Sequence, residues 1–239
     1  MKIKIIEPNW PAKKNVKALT TEKGRFSENN FSTYSSRGKD SVFHNRERLS
    51  IQLDLPSEPI WLNQTHSSLI LDLDNFSSND IKFDGLFTKN KKNVCAILTA
   101  DCLPILISSL VEDKICALHA GWRGLSNGII QNAISLMDSN PKDIVVWLGP
   151  GISQTAYEVS NEVYETFDDY DFSVKANFKA IRKNSWHLDL YGIARTIFNN
   201  YQIYSVYGGN FCTFMQKDRF FSYRRGDISE RIATLLWLE

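Results

Sequence analysis

Three side chains stand out for the chemistry they could share. His66 lies in the polar break Gln64-Thr65-His66-Ser67-Ser68, and Cys102 ends the break Thr99-Ala100-Asp101-Cys102 between two apolar runs. His119 follows the apolar run Ile115–Leu118, just ahead of the turn Gly121-Trp122-Arg123-Gly124. Imidazole and thiolate are preferred zinc ligands, and three protein ligands leave a fourth position open for water, as in catalytic rather than structural sites. A metal held this way brings the pKa of bound water to around 7. The three residues lie too far apart for any local spacing rule, so other readings stay open. Cys102 and His119 could act without metal, as nucleophile and base for acyl transfer or amide hydrolysis, with Asp101 or Asp84 orienting the imidazole. Each could also be ordinary core.

Basic residues suggest an anion. Arg123 sits in a Gly-rich turn ahead of a helix-like pattern, where backbone N–H groups and a fixed charge suit phosphate or carboxylate. Arg224 and Arg225 could line a similar pocket. The plainer alternatives are a tight turn with a solvated arginine and a pair of surface charges. Trp122 and Tyr223 could stack on a planar ring or simply pack. His44 and His187 show no partner pattern.

The elements that must position these groups alternate in type. Strands are expected at Ile3–Ile6, Val16–Leu19, Pro59–Asn63, Leu69–Leu73, Val94–Leu98, Leu103–Ile107, Ile115–Leu118 and Ile144–Leu148, with Leu86–Thr88 leading into the one that follows it. Four more are expected at Tyr204–Tyr207, Cys212–Met215, Phe220–Tyr223 and Ile232–Leu238. Helices are expected from Ser41 to Leu49, from Leu125 to Met137, from Ser160 to Phe167, and from an Asp189 cap through Phe198. Residues 21–40 and 75–82 read as loops. No repeat or linker interrupts the chain, so one mixed α/β domain over 1–239 is the simplest account.

The bulk properties exclude some classes. The 239 residues carry a net charge of +1, so no global field draws in nucleic acid or an anionic membrane. No apolar run approaches the ~18–20 residues needed to span a bilayer. The N-terminus, charged at alternate positions, lacks a signal peptide's apolar core, and a cytoplasmic location is expected. The four cysteines form no CxxC pair and are expected to be free thiols, with Cys95 and Cys116 packed as small hydrophobes.

Several motifs then resemble one family. NQTHSS (63–68), DGLFT (84–88), LTADCLPILI (98–107), ALHAGWRGLSNGII (117–130), LGPGISQTAYEVSNEV (148–163) and CTFMQKDRFFSYRRGDISERIA (212–233) are similar to the laccase-domain family. It is also called the purine nucleoside phosphorylase / polyphenol oxidase family. The resemblance implies a single α/β domain with layered β-sheets flanked by helices, like the catalytic domain of cytotoxic necrotizing factors. It implies that His66, Cys102 and His119 bind zinc, with copper possible in vitro. It implies phosphorolysis of adenosine, inosine, guanosine or 5′-methylthioadenosine to free base and ribose 1-phosphate, and deamination of adenosine at the same site. Copper-dependent phenol oxidation and peptidoglycan-precursor editing also attach to the family. On this reading Cys102, Asp101 and Asp84 are the catalytic candidates. Arg46, Gln64, Arg123, Arg224 and Arg225 are the substrate-binding candidates. Purine nucleosides and phosphate are the partners, without nucleic acid or membrane, for a monomer or homodimer. The loop before Asn45-Arg46 and the segment Ser229-Glu230-Arg231 depart from the family's pattern, which bears on substrate preference.

Overall fold

The apolar runs that bracket the polar breaks pair into two stacked sheets. The computed structural model describes residues 2–24, 28–33, 39–75, 81–170 and 172–239. In chain order the strands are β1 (Ile5–Ile6), β2 (Val16–Thr21), β3 (Ile60–Trp61), β4 (Ile70–Asp72), β5 (Gly85–Thr88), β6 (Val94–Thr99) and β7 (Leu103–Ser109). They continue as β8 (Ile115–Ala120), β9 (Ile144–Leu148), β10 (Glu158–Ser160), β11 (Phe178–Arg182), β12 (Ser185–Leu188), β13 (Val206–Gly208) and β14 (Ile232–Leu238). The helices are α1 (Lys39–Leu53), α2 (Trp122–Ser126), α3 (Ile129–Met137), α4 (Asn161–Glu165), α5 (Phe172–Lys175) and α6 (Leu190–Asn200).

One sheet runs β1-β2-β14-β6-β3 and the other β13-β9-β7-β8-β5-β4, with a small third sheet β10-β12-β11. Strand alternation sorts the side chains into layers. Cys95 and Ile97 of β6 and Leu236 and Leu238 of β14 meet Leu106, Ile115, Ala117 and Trp147 of the second sheet in a shared core. The opposite side of the first sheet, with Ala96, Leu235 and Trp237, is covered by Leu49 of α1 and by Phe31. The far side of the second sheet packs Leu103, Ile105, Cys116 and Leu118 against α3 and α6 through Ile130, Ala133, Ile193 and Ile197. The result is the layered, helix-flanked α/β arrangement expected. Each fully buried aliphatic side chain in these layers contributes roughly 1.5–3 kcal/mol of transfer free energy.

Four expectations change. Cys212–Met215 is largely turn and Phe220–Tyr223 largely irregular rather than strand, because side chains take the carbonyl groups a ladder would use. The Arg225 guanidinium donates to the carbonyls of Thr213, Phe214 and Phe220. The helix expected from Leu125 to Met137 splits into α2 and α3 at Gly128, whose φ of 85° lies in the left-handed region that glycine tolerates. Ser160 occupies the N-cap position of α4 without a side-chain capping bond, and α4 ends at Glu165. By contrast, Asp189 caps α6 as expected, accepting from the Gly192 N–H at 2.9 Å. Residues 25–27, 34–38 and 76–80, within the two expected loops, lie outside the described residues.

Candidate metal centre

Two strand ends and one loop deliver the three candidate ligands. Cys102 lies where the chain leaves β6 in one sheet and enters β7 in the other, so it sits at the seam between them. His119 is the penultimate residue of β8, and His66 lies in the loop ahead of β4. Their ligand atoms all lie within 4.8 Å of one another, the one such group of three His, Cys, Asp or Glu side chains among the described residues. Cys102 Sγ is 3.8 Å from His66 Nε2, and the two imidazole rings meet edge-on at 4.7 Å. Tetrahedral zinc bonded to sulfur and imidazole places those two atoms at about 3.5 Å. The donor set and spacing therefore fit one zinc- or copper-type ion. His119 is buried, Cys102 partly exposed and His66 exposed, so the cluster opens to solvent on the His66 side.

Close packing sets the geometry. A Cβ on Gly121 would stand 2.9 Å from Cys102 Sγ and 3.3 Å from His66 Cδ2, so only glycine lets the backbone pass beside both ligands. His66 and Asp101 have φ values of 61° and 86°, uncommon for non-glycine residues. Such strain persists where surrounding bonds over-determine it, and it concentrates at functional sites.

Both aspartates expected to be catalytic are deeply engaged. Asp84 is fully buried. Its Oδ1 accepts from His119 Nδ1 at 2.7 Å and from the His66 N–H at 3.0 Å. Its Oδ2 accepts from the N–H groups of Thr65 (3.1 Å) and Ser67 (2.6 Å) and from their hydroxyls at 3.3 and 2.7 Å. Burial pushes the Asp84 carboxyl up, but the bond and charge of His119 and the Ser67 bonds outweigh it and hold it far below the usual carboxylate range. Asp101 accepts from Thr213 Oγ1 at 2.6 Å, Ser222 Oγ at 3.0 Å and the Arg224 N–H at 2.7 Å. It thereby ties the Cys102 turn to the C-terminal segment.

Burial also opposes the charged forms of Cys102 and His119, and their mutual attraction prevails. The thiol is held down to about 6 by the charge and bond of His119 and then by His66. The imidazole is pushed up to about 9 by Cys102 and Asp84.

The expected substrate-binding residues divide. Arg123 lies over the Trp122 ring at 4.2 Å, just past Gly121, and its guanidinium is exposed. Arg224 is exposed, its guanidinium 5.1 Å from the Tyr157 ring and bonded to the Glu158 carbonyl. Gln64 instead exchanges two 2.8 Å bonds with the backbone of Leu98, pinning the His66 loop to β6. Arg225 is committed to three carbonyls and to Asp227 at 2.7 Å. Arg46 stacks on Trp61 at 4.1 Å and donates through Nε and Nη2 to the Phe31 carbonyl.

Two further residues feel the charge of Cys102. Burial and then Cys102 push the Tyr157 phenol up, against the pull of Arg224 and Arg123. Burial lowers the Arg231 guanidinium, with Cys102 and Asp101 opposing. Tyr157 lies in the motif at 148–163 and Arg231 in the segment that departs from the family pattern, yet neither carries a local chemical signal that singles it out.

Two stacked sheets joined at a seam, with a His-Cys-His cluster there that fits one metal ion, define a candidate mononuclear metal protein of mixed α/β fold. The chain belongs to the family described as multi-copper polyphenol oxidoreductase laccase, whose model matches residues 16–239. It is 36% identical over 242 aligned residues to a Haemophilus influenzae protein named purine nucleoside phosphorylase, covering 98% of this chain and 99% of that one. It is 35% identical to the Escherichia coli protein named purine nucleoside phosphorylase YfiH, with the same coverage. Among solved structures, Neisseria meningitidis protein NMB0706 superposes with a TM-score of 0.92 at 35% identity, over 98% of this chain and 99% of that one. No helix among the described residues is long and apolar enough to cross a membrane.

Proposed function

We propose that the protein is a zinc-dependent purine nucleoside phosphorylase acting on adenosine, inosine, guanosine or 5′-methylthioadenosine. Adenosine deamination is assigned to the same site. The carrying observation is the convergence of His66, Cys102 and His119 within 4.8 Å, open to solvent beside the arginine-bearing turns. The names of the relatives supply the substrate class. Both sheets contribute to this one site, which supports treating residues 1–239 as a single domain.

In phosphorolysis a phosphate oxygen bonds to C1′ of the ribose as the C1′–N9 bond breaks, and the departing base takes up a proton. Arg123 and Arg224 hold the phosphate, with Arg231 adding positive charge beside Cys102. The Tyr157 phenol, kept neutral by its surroundings, donates a hydrogen bond rather than a charge. Asp101 holds Arg224 and the Cys102 turn in register. A zinc bound by His66, Cys102 and His119 would supply Lewis acidity and activate water near neutral pH for deamination at C6. Four free cysteines fit a cytoplasmic setting.

A second reading has its own observation. Cys102, His119 and Asp84 stand in the order nucleophile, base and orienting carboxylate, with the thiol held low, which suits a metal-free amide hydrolase. Copper oxidation of phenols is less favoured, since four histidines are too few for a multicopper centre.

The test is chromatography of products from adenosine with and without phosphate, for wild type, Cys102→Ala and chelator-treated protein. Adenine from wild type alone, dependent on phosphate and lost on chelation, supports phosphorolysis. Inosine without phosphate supports the deaminase. A folded, zinc-loaded wild type that yields neither product sinks the nucleoside reading, and amide cleavage that survives chelation would establish the thiol route.

A further inference from the structure

Asp84 contacts both halves of the candidate ligand pair. Its Oδ1 edge faces two donors, His119 Nδ1 and the His66 N–H, at 2.7 and 3.0 Å. Its Oδ2 edge faces four, the N–H and hydroxyl groups of Thr65 and Ser67, at 2.6–3.3 Å. Every lone pair is thus directed at a donor of the fold, and the side chain has no solvent exposure. Such a carboxylate has no free edge with which to carry a proton to a substrate.

We propose that Asp84 is a positioning residue shared by both histidines, and that this one carboxylate sets the metal affinity of the site. The inference rests on the metal-centre reading above. Toward His119, accepting at Nδ1 fixes the tautomer that leaves the Nε2 lone pair for a metal. Toward His66, it gathers three consecutive N–H groups into a concave nest and stabilises the left-handed backbone of that residue, φ 61°.

The two roles cannot be separated by substitution with an amide. Asparagine has a single oxygen, so its NH2 group must replace one edge. On the Oδ1 edge the NH2 opposes the His66 N–H and turns His119 Nδ1 into an acceptor, moving the ring proton to Nε2. On the Oδ2 edge it confronts the Thr65 and Ser67 N–H groups, which unlike the two hydroxyls cannot turn to accept, and the Thr65–Ser67 loop must shift, carrying His66 with it. Either orientation removes one histidine from the site.

Cobalt(II) tests this without reference to turnover. The metal-free protein is titrated in competition with a chromophoric chelator, and the thiolate-to-cobalt charge-transfer band reports Cys102. Wild type is expected to take up one equivalent. Folded Asp84→Asn, verified by circular dichroism, is expected to bind 10–100-fold more weakly, with an altered band. Asp84→Asn that binds within threefold of wild type with the same spectrum overturns the proposal. If that variant does not fold, the double variant Thr65→Val, Ser67→Ala removes the two hydroxyl donors and, besides them, only the exposed 3.2 Å acceptor of the Leu69 N–H. A weakening of fivefold or more then supports the proposal, and binding within twofold overturns it. Wild type that takes up no cobalt at the thiolate refutes the metal-centre reading itself and this inference with it.

Discussion

Two neighbouring arginines, alike in sequence, have opposite structural fates. Arg224 keeps its guanidinium exposed beside Tyr157, whereas Arg225 spends its own on three carbonyls and Asp227. Arg224→Ala should raise the KM for phosphate about tenfold with less than about 1 kcal/mol lost in urea denaturation. Arg225→Ala should cost about 2–4 kcal/mol, since several buried carbonyls lose their donor. The reverse pattern in steady-state kinetics and urea melts would exchange their roles. Cys102 offers a pH test. A thiol held at about 6 rather than the ordinary 9.0 is mostly thiolate at neutrality. Alkylation of Cys102 by iodoacetamide in metal-free protein, followed by mass spectrometry, should rise between about pH 5 and pH 7 and then level off. A rate still climbing through about pH 8 would refute the ion pair. The three candidate ligands stood out as polar residues at breaks between apolar runs, but only the family resemblance joined them into one set. Orientation of an imidazole by Asp84 was one of two options the sequence left open; its hold on residues 65–67 was not legible, because those donors lie far off in sequence and are brought to it only by the sheet.

Elements were legible where burial is two-sided. β9 and β14 fall where the apolar runs put them, because every residue in each is buried. The sheet β10-β12-β11 escaped notice. In β11 only Phe178 is buried and the following four residues are exposed, so the strand has little apolar signature. The segment 211–231 misled in the other direction. Phe220 and Phe221 are fully buried against Ala100 and Ile232, but they pack from an irregular segment held by Arg225 and Asp101. The turn into α2 carries its own prediction. Gly121→Ala places a methyl group 2.9 Å from Cys102 Sγ, and it should weaken metal binding at least tenfold while leaving the circular dichroism spectrum unchanged. Wild-type affinity in that variant would show that the cluster adjusts freely.

For the whole molecule, the layered α/β plan came from the resemblance of the motifs rather than from periodicity. Hydrophobic pattern identifies strands without saying which sheet each joins. That assignment rests on the turn 100–102, which sends successive strands into different sheets. β14 pairs with β2 along five residues and with β6 along six, so it holds the middle of its sheet. Deleting residues 232–239 should therefore abolish cooperative thermal unfolding, whereas loss of an edge strand as short as β1 would be tolerated. A truncated chain that melts cooperatively would contradict this account.

The central place of β14 also bears on the order of events during synthesis. It follows every other strand among the described residues, so the nascent chain can assemble the second sheet while β2 and β6 still present unpaired inner edges. Those edges are open templates for aggregation and call for chaperone protection in that interval. The Cys102 turn completes its anchoring only when Thr213, Ser222 and Arg224 arrive. Final anchoring of the candidate metal site therefore waits on segment 213–224, about a hundred residues after its last candidate ligand has been made.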